Sequence, residues 1–480
     1  MYHYAMSAAT QAASSGLPGE QGIAAEPGRD GLPPGPRMPP IAQTLAWGIA
    51  PTWLTDRCTE RLGEAFTLRF PPHGAPIVHL SNPQDVKTLL TASEDVAPKP
   101  KGAAGAPVWA LGPNSVSVLA GPEHMRQRKL LLPPFHGEHL RKHEDLIVNA
   151  TRRVMADWPL ERPMRMQPRS RLITLEVIMG SVFGVEAERM DAMQKTIVAL
   201  MAPKQILAGL RALMQGSGEE RPPGAIGDGL NRLDEQIYTE IGNRRKQADL
   251  EQRSDIMSML LLARDDDGAG LTDEEVRDEL VTLLLAGHET TATAVSWAIE
   301  RLVRHPDKLA RLLAEVDAQQ QGGGDEYLTA VINETLRVRP PQGIVVRKLV
   351  RELRVGRFLL PAGTTTAISV YATNRNPRTY EDPTAFKPER FLENAPETYS
   401  WVPFGGGIRR CIGTSLALME SKLILRTMLS ELEPRVRDGW RGRRSERMRW
   451  SHRTLIPAGG ATVVWRRRAP RESANGASPR

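Results

Sequence analysis

The 480-residue sequence holds only two cysteines, Cys58 and Cys411. So few in so long a chain make no disulfide framework, which points to a reducing compartment and leaves a thiol free for chemistry. No stretch approaches the ~18 uninterrupted apolar residues of a membrane-spanning helix. Met1 to Asp30 is small, polar and dotted with Pro and Gly, without the basic and apolar regions of a secretory signal. A cytoplasmic protein with no membrane span is the expectation. The formal net charge is +7, yet there is no long Lys/Arg block and no zinc-finger spacing, so nucleic acid is not an expected partner. The excess Arg is spread along the chain, denser from Arg441 to Arg453 and from Arg466 to Arg480. A diffuse excess favours acidic partners without specifying a fold. Internal repeats are absent too.

What is present is an ordinary globular composition with 25% charged residues. Residues 1–31 are expected to be a disordered segment, 32–467 one domain, and 468–480 a disordered basic tail. The run Leu32 to Pro40 reads as a stiff, extended lead-in. Short strands are expected at Ala65–Phe70 and Ile77–Leu80, then helices near 140–158, 169–183, 187–201, 229–247, 254–263, 272–304, 306–319 and 325–338. A β-rich stretch spans Ile344 to Val370, and a Pro-rich loop leads to Cys411 and a last long helix. Leu455–Trp465 closes the pattern as a β-like segment. The fold class is therefore mainly α with small β-sheets. The best-defined element begins at the capping box Thr272-Asp273-Glu274-Glu275, with Leu271 and Val276 as its hydrophobic staple, and stops at His305-Pro306. It is on the order of 45 Å long, enough to cross a domain.

Cys411 alone would pass for a buried, inert thiol. Its surroundings argue otherwise. Gly405, Gly406 and Gly407 permit backbone conformations closed to other residues and a close approach to a flat object. Arg409 and Arg410 precede the sulfur, and Ile412, Leu416, Met419 and Leu423 follow with helical spacing, which places Cys411 at a helix N-terminus. Such a setting is expected to lower the thiol pKa and favour the thiolate, the metal-binding form. Zinc and iron–sulfur sites need several Cys or His ligands, and only one distant cysteine remains. A single thiolate suits a metal whose other ligands come from a macrocycle, which is haem.

The run Phe404 to Gly413 resembles the cysteine signature of the cytochrome P450 superfamily, with Phe404, Gly407, Arg409, Cys411 and Gly413 at the signature positions. The resemblance implies the P450 fold, with haem b between the long central helix and the cysteine-loop helix, and Cys411 as axial ligand of its iron. Gly405, within the same loop, is expected to line the cofactor. Glu334-Thr335-Leu336-Arg337 is similar to the family's Glu-x-x-Arg motif, and Pro388-Glu389-Arg390-Phe391 to the segment whose Arg joins that pair. Glu334, Arg337 and Arg390 are thus expected to form a buried structural network. Ala286-Gly287-His288-Glu289-Thr290-Thr291 is similar to the family's oxygen-binding stretch: Ala286 and Gly287 leave room over the haem, and Glu289 and Thr290 take the acid and alcohol positions of a proton relay linked to bulk water. A zinc-protease reading of His288-Glu289 fails because Ala292 stands where a second His is needed. For the haem propionates the resemblance offers His124 and Arg128, one helical turn apart, together with Arg409 and Arg347.

The resemblance covers roughly residues 32–467 and implies a monooxygenase that uses dioxygen, two electrons and two protons to hydroxylate or epoxidise a substrate. No flavin domain follows Arg467, so a separate ferredoxin or flavodoxin-type donor is expected, docking where Arg126, Lys129 and Arg410 supply positive charge. The expected pocket walls are the Lys99–Leu119 loop, the 184–230 region with Met201, Ile206 and Leu207, then Leu283, Ala286 and Pro341–Val345. Mostly apolar, they suggest a lipophilic small molecule. A soluble bacterial type, acting as a monomer, is the overall expectation. The rival readings are a peroxide-driven or isomerase-type member, which would tend to lose the Glu289–Thr290 pair, and a haem-binding protein without turnover.

Overall fold

A computed structural model describes residues 25–26 and 31–468, apart from 72–74, 101–107, 185–186, 201–220, 223, 320–321, 395, 438–444 and 452–453. The disordered termini expected from composition lie almost wholly outside the described residues, as do Met201, Ile206 and Leu207.

The chain opens with two helices, α1 (Pro40–Ile49) and α2 (Pro51–Leu62). Each starts with proline at its first position, where the missing N–H costs no hydrogen bond and the fixed φ suits a helix. The extended lead-in expected up to Pro40 therefore ends one residue earlier, at the N-cap Pro39. A four-stranded sheet follows, built from β1 (Ala65–Phe70), β2 (Ala75–Leu80), β3 (Ile344–Lys348) and β4 (Thr365–Ser369), in the order β1-β2-β4-β3. β2 and β4 are parallel, with Ile77 opposite Thr365, and the other two pairings are antiparallel. Its β3 edge carries Arg347, opposite Thr366.

The helical body holds α3 (Gly121–Leu131), α4 (Glu144–Ala156), α5 (Met166–Phe183), the central α6 (Asp273–Leu302), α7 (Glu326–Val338) and α8 (Thr414–Glu431). The capping box at Thr272 forms in both directions, and Leu271 and Val276 are buried as the staple requires. α6 joins two apolar clusters. Its N-terminal half packs with Phe135, Met179, Phe183 and Leu416, and its C-terminal half with Trp158, Leu336, Leu425 and Trp465. A helix buried on nearly all sides keeps its few polar residues only where they have partners. The terminal β-like segment is two elements, Thr454–Pro457 and Thr462–Arg467, split by a turn at Ala458–Gly460. The first pairs with Met448–Ser451 as a hairpin against the C-terminal half of α6, where Trp297 Nε1 donates to the Leu455 carbonyl at 2.8 Å.

Candidate functional site

The cysteine loop is shaped by its glycines. Gly405 and Gly407 have φ of +68° and +63°, in the left-handed region that side chains avoid. A Cβ on Gly407 would lie 2.0 Å from the Leu90 carbonyl oxygen, so the loop rests directly on the end of the helix Pro83–Thr91. Cys411 N–H donates to the Phe404 carbonyl at 3.0 Å, closing the loop, and Phe404 packs edge-on against Trp401. The Cys411 side chain reaches an accessible face, and the Gly413 N–H points toward its sulfur, while Thr414 Oγ1 donates to the Cys411 carbonyl at 2.8 Å. The expectation of a lowered thiol pKa is corrected here. Crowding by protein atoms desolvates the thiolate and pushes the thiol up, outweighing the Gly413 N–H and the pull of Arg128 and Arg410.

Beside the cysteine lies a wall of cations. His124 is buried on α3, its Nδ1 without a hydrogen-bond partner, and its pKa is pushed down to about 4 by burial and then by Arg409. Arg128, one turn along α3, has no ion-pair partner among the described residues, and its field reaches Cys411. Arg347 is buried on β3, its guanidinium donates to the Val346 carbonyl and has no ion pair among the described residues, and it is pushed down to about 10 by burial and then by Arg409. Three separated stretches of sequence, α3, β3 and the cysteine loop, thus converge on one face. Arg409 differs from the others in having its own carboxylate, Glu94, and it also donates to the carbonyls of Val116 and Leu119.

Those two carbonyls belong to a strap, residues 112–120, whose other side is tied to α6. Asn114 N–H donates to Asp278 at 2.9 Å, Val116 N–H to Glu279 at 2.6 Å, and the Ser115 and Thr282 hydroxyls lie 2.7 Å apart. Burial pushes Glu279 up to about 8. Sequence reasoning missed this role for the acids of the central helix, because they meet the strap across more than 160 residues.

Midway along α6, Leu285 and Ala286 are exposed while the flanking Leu284 and His288 are buried, which opens one turn of an otherwise covered helix. Thr290 Oγ1 donates back to the Ala286 carbonyl at 2.8 Å. Gly287 does something other than expected. A Cβ there would sit 2.8 Å from Ile178 Cδ1, so its bareness serves the packing of α6 on α5. Glu289 is also repositioned. Instead of meeting water directly it is 8% exposed and held by both forks of Arg171 on α5, each at 2.5 Å, with the Thr454 hydroxyl at 3.4 Å. Arg171, 35% exposed in its side chain, stands between Glu289 and solvent. On the opposite side of the same turn, Glu420 of α8 is buried against Thr291, with Oε1 unpartnered, and burial pushes it up to about 8. Neither Arg171 nor Glu420 carried a local sequence signal.

Beneath the site, Glu334 and Arg337 are fully buried and paired at 2.6 and 2.8 Å. The remaining Arg337 donors go to the carbonyls of Asn374, Pro383 and Ala385, and Arg390 joins Glu334 at 3.4 Å. The surface cations fare differently. Arg126 is paired with Asp265 and Glu275, and Lys129 with Asp266, so of the expected docking charges Arg410 alone is exposed without a described ion pair. Among the described residues no cluster of three or more His, Cys, Asp or Glu is placed to hold a metal. No helix among them is long and apolar enough to cross a membrane.

Comparison with known proteins agrees with this geometry. The chain is 38% identical over 381 residues to a Mycobacterium tuberculosis protein named as cytochrome P450 137, covering 78% of each chain. It is 34% identical over 443 residues to a Mycobacterium bovis protein named as cytochrome P450 135B1, covering 90% of this chain and 91% of that one. Among solved structures, the heme domain of a cytochrome P450DA mutant superposes with a TM-score of 0.79 at 21% identity over 92% of this chain and 98% of that one. The retinoic acid-bound cyanobacterial CYP120A1 gives 0.73 at 23% identity, over 91% and 99%. The family model described as Cytochrome P450 matches residues 33–448, a span that runs from the first helices through the central helix and past Cys411: the chain belongs to the cytochrome P450 family and is a monooxygenase of the haem-thiolate kind.

Proposed function

We propose that this P450 would hold haem b through the Cys411 thiolate, draws electrons from a separate ferredoxin or flavodoxin-type donor, and hydroxylates or epoxidises a lipophilic small molecule. The reading includes residues 32–467 as one domain working as a cytoplasmic monomer. The observation that carries it is the set of cations and one orphaned ring nitrogen beside the cysteine: among the described residues buried His124 Nδ1 has no hydrogen-bond partner, and half-buried Arg128 and buried Arg347 have no ion pair. A flat group bearing a thiolate-seeking metal and two carboxylates fits that donor set. When bound, haem supplies dioxygen activation and the transfer of one oxygen atom, consuming two electrons and two protons.

The protein's own residues supply the rest. Cys411 provides the thiolate, and the Gly413 N–H stabilises its negative charge. Arg128, Arg347, Arg409 and His124 would hold the propionates, and the Gly405–Gly407 backbone lets the loop lie close to the ring. Ala286 and Leu285 keep the exposed turn of α6 apolar and narrow. Thr290 presents its hydroxyl there, and Glu289 passes a proton toward it once the Arg171 fork swings aside. Leu283, Ile344 and Val345, expected as pocket walls, are partly buried apolar side chains, which supports a lipophilic substrate.

The reduced protein under carbon monoxide should give the thiolate-type absorption, and Cys411→Ser should lose it while still taking up haem. A Cys411→Ser protein that kept the thiolate spectrum would overturn the assignment. Spin-state titration against a library of lipophilic compounds then identifies the substrate class.

A further inference from the structure

We propose that Glu94 is a charge-setting residue of the cofactor site, a built-in carboxylate that shares Arg409 with whatever anion binds there. The inference rests on the reading that this face holds haem. Three observations carry it. Glu94 Oε1 is paired with Arg409, whose side chain is 9% exposed against 12% for Glu94, so solvent screens the pair little. Glu94 Oε2 accepts the first N–H of α3, the helix that carries His124 and Arg128. That helix has no side-chain cap of its own, since Ala120 stands at its N-cap, and Glu94 fills the place from a distant segment. Finally, the bareness of Gly407 against the Leu90 carbonyl brings the segment after the helix Pro83–Thr91 beside the cysteine loop.

The consequence is an unequal cradle. Among the described residues Arg128 and Arg347 have no ion pair, although the field of Glu94 reaches Arg347, whereas Arg409 arrives directly paired with Glu94. A doubly anionic ligand therefore meets three guanidinium groups and one opposing carboxylate. Glu94 holds Arg409 in place but repels the carboxylates of the ligand, and its negative charge disfavours an added electron on a nearby iron. It thus acts as a positioning residue that limits both the retention of haem and its readiness to be reduced.

Glu94→Gln keeps an oxygen acceptor for the α3 N-terminus while removing the charge. Glu94→Asp keeps the charge on a shorter stem. All three proteins are first assayed for the thiolate-type carbon-monoxide spectrum; its absence from the parent protein would defeat the haem reading itself and Glu94 with it. With the spectrum intact, the ferric–ferrous midpoint of Glu94→Gln should move to more positive potential. Haem transfer to excess apomyoglobin should slow at least about threefold, the floor set by one unit charge about 6 Å away and screened as strongly as in water. Glu94→Asp should return both toward the parent values. Intact spectra with an unmoved midpoint, or faster haem loss from Glu94→Gln, would show that Glu94 only braces the helix and would overturn the proposal.

Discussion

Two carboxylate–guanidinium pairs in this protein share a geometry and differ in completeness. Glu334 and Arg337 lie wholly out of solvent, and every donor of the Arg337 guanidinium has an acceptor. Glu289 and Arg171 are also bidentate, but the Arg171 side chain is 35% exposed and its remaining bond, to Ser451, is long at 3.3 Å. A saturated pair is fixed, because moving either partner strands a buried charge. An open pair can exchange one partner for water at modest cost. The same chemistry therefore suits a scaffold in one place and, in the proposed relay, a gate in the other.

Arg337→Ala breaks the comparison most severely. It leaves Glu334 charged and buried with only Arg390 and the Lys387 N–H nearby, and should cost about 3–5 kcal/mol in urea unfolding. A loss below ~1 kcal/mol would show that the network is not the scaffold its saturation suggests. Glu289→Gln should leave the fold and the substrate-induced spin shift intact while lowering coupled product formation by about a hundredfold, the low end for loss of a general acid–base group. Unchanged coupling would place proton delivery elsewhere, and Glu420 is the alternative to test.

Glu420 sharpens the contrast because it has no cation beside it among the described residues. Its folded pKa of about 8 lies above the ordinary carboxylate value of 4.5, so between those limits the unfolded chain is deprotonated and the folded one is not. Stability from this group is complete below about pH 4.5 and falls as pH rises toward 8. Glu279 behaves in the same way. Glu420→Gln should flatten part of that decline in thermal scans from pH 5 to 8, leaving the share due to Glu279. A profile as steep as that of the parent protein would show Glu420 to be ionised in the fold.

These pairs also show what the sequence could and could not disclose. Glu334 and Arg337 are three residues apart on one helix, and Phe404 to Gly413 is one unbroken run, so their partners are local and legible. The capping box at Thr272 was readable for the same reason. Arg171 meets Glu289 across 118 residues and Glu94 meets Arg409 across 315, and nothing in either local pattern distinguishes such an Arg from a solvated one. Arg126 erred in the opposite direction. It reads as a free surface cation, and Asp265 and Glu275 neutralise it from a remote loop and helix. The two helices from Pro40 to Leu62 were hidden because proline marks both an extended segment and a helix start, and only the following backbone decides between them.

The strap between α6 and Arg409 has a consequence for synthesis. Its contacts run from Val116 forward 163 residues to Glu279 and 293 residues to Arg409. While the ribosome is still making the central helix, residues 112–120 have only half of their partners, and Arg128 faces no cysteine. The cofactor wall comes into being only when the last helix emerges and the chain is nearly finished. Until then the nascent protein has to keep its central helix covered without the group it is built to hold, a vulnerable interval for a fold whose closing contacts are so distant in sequence.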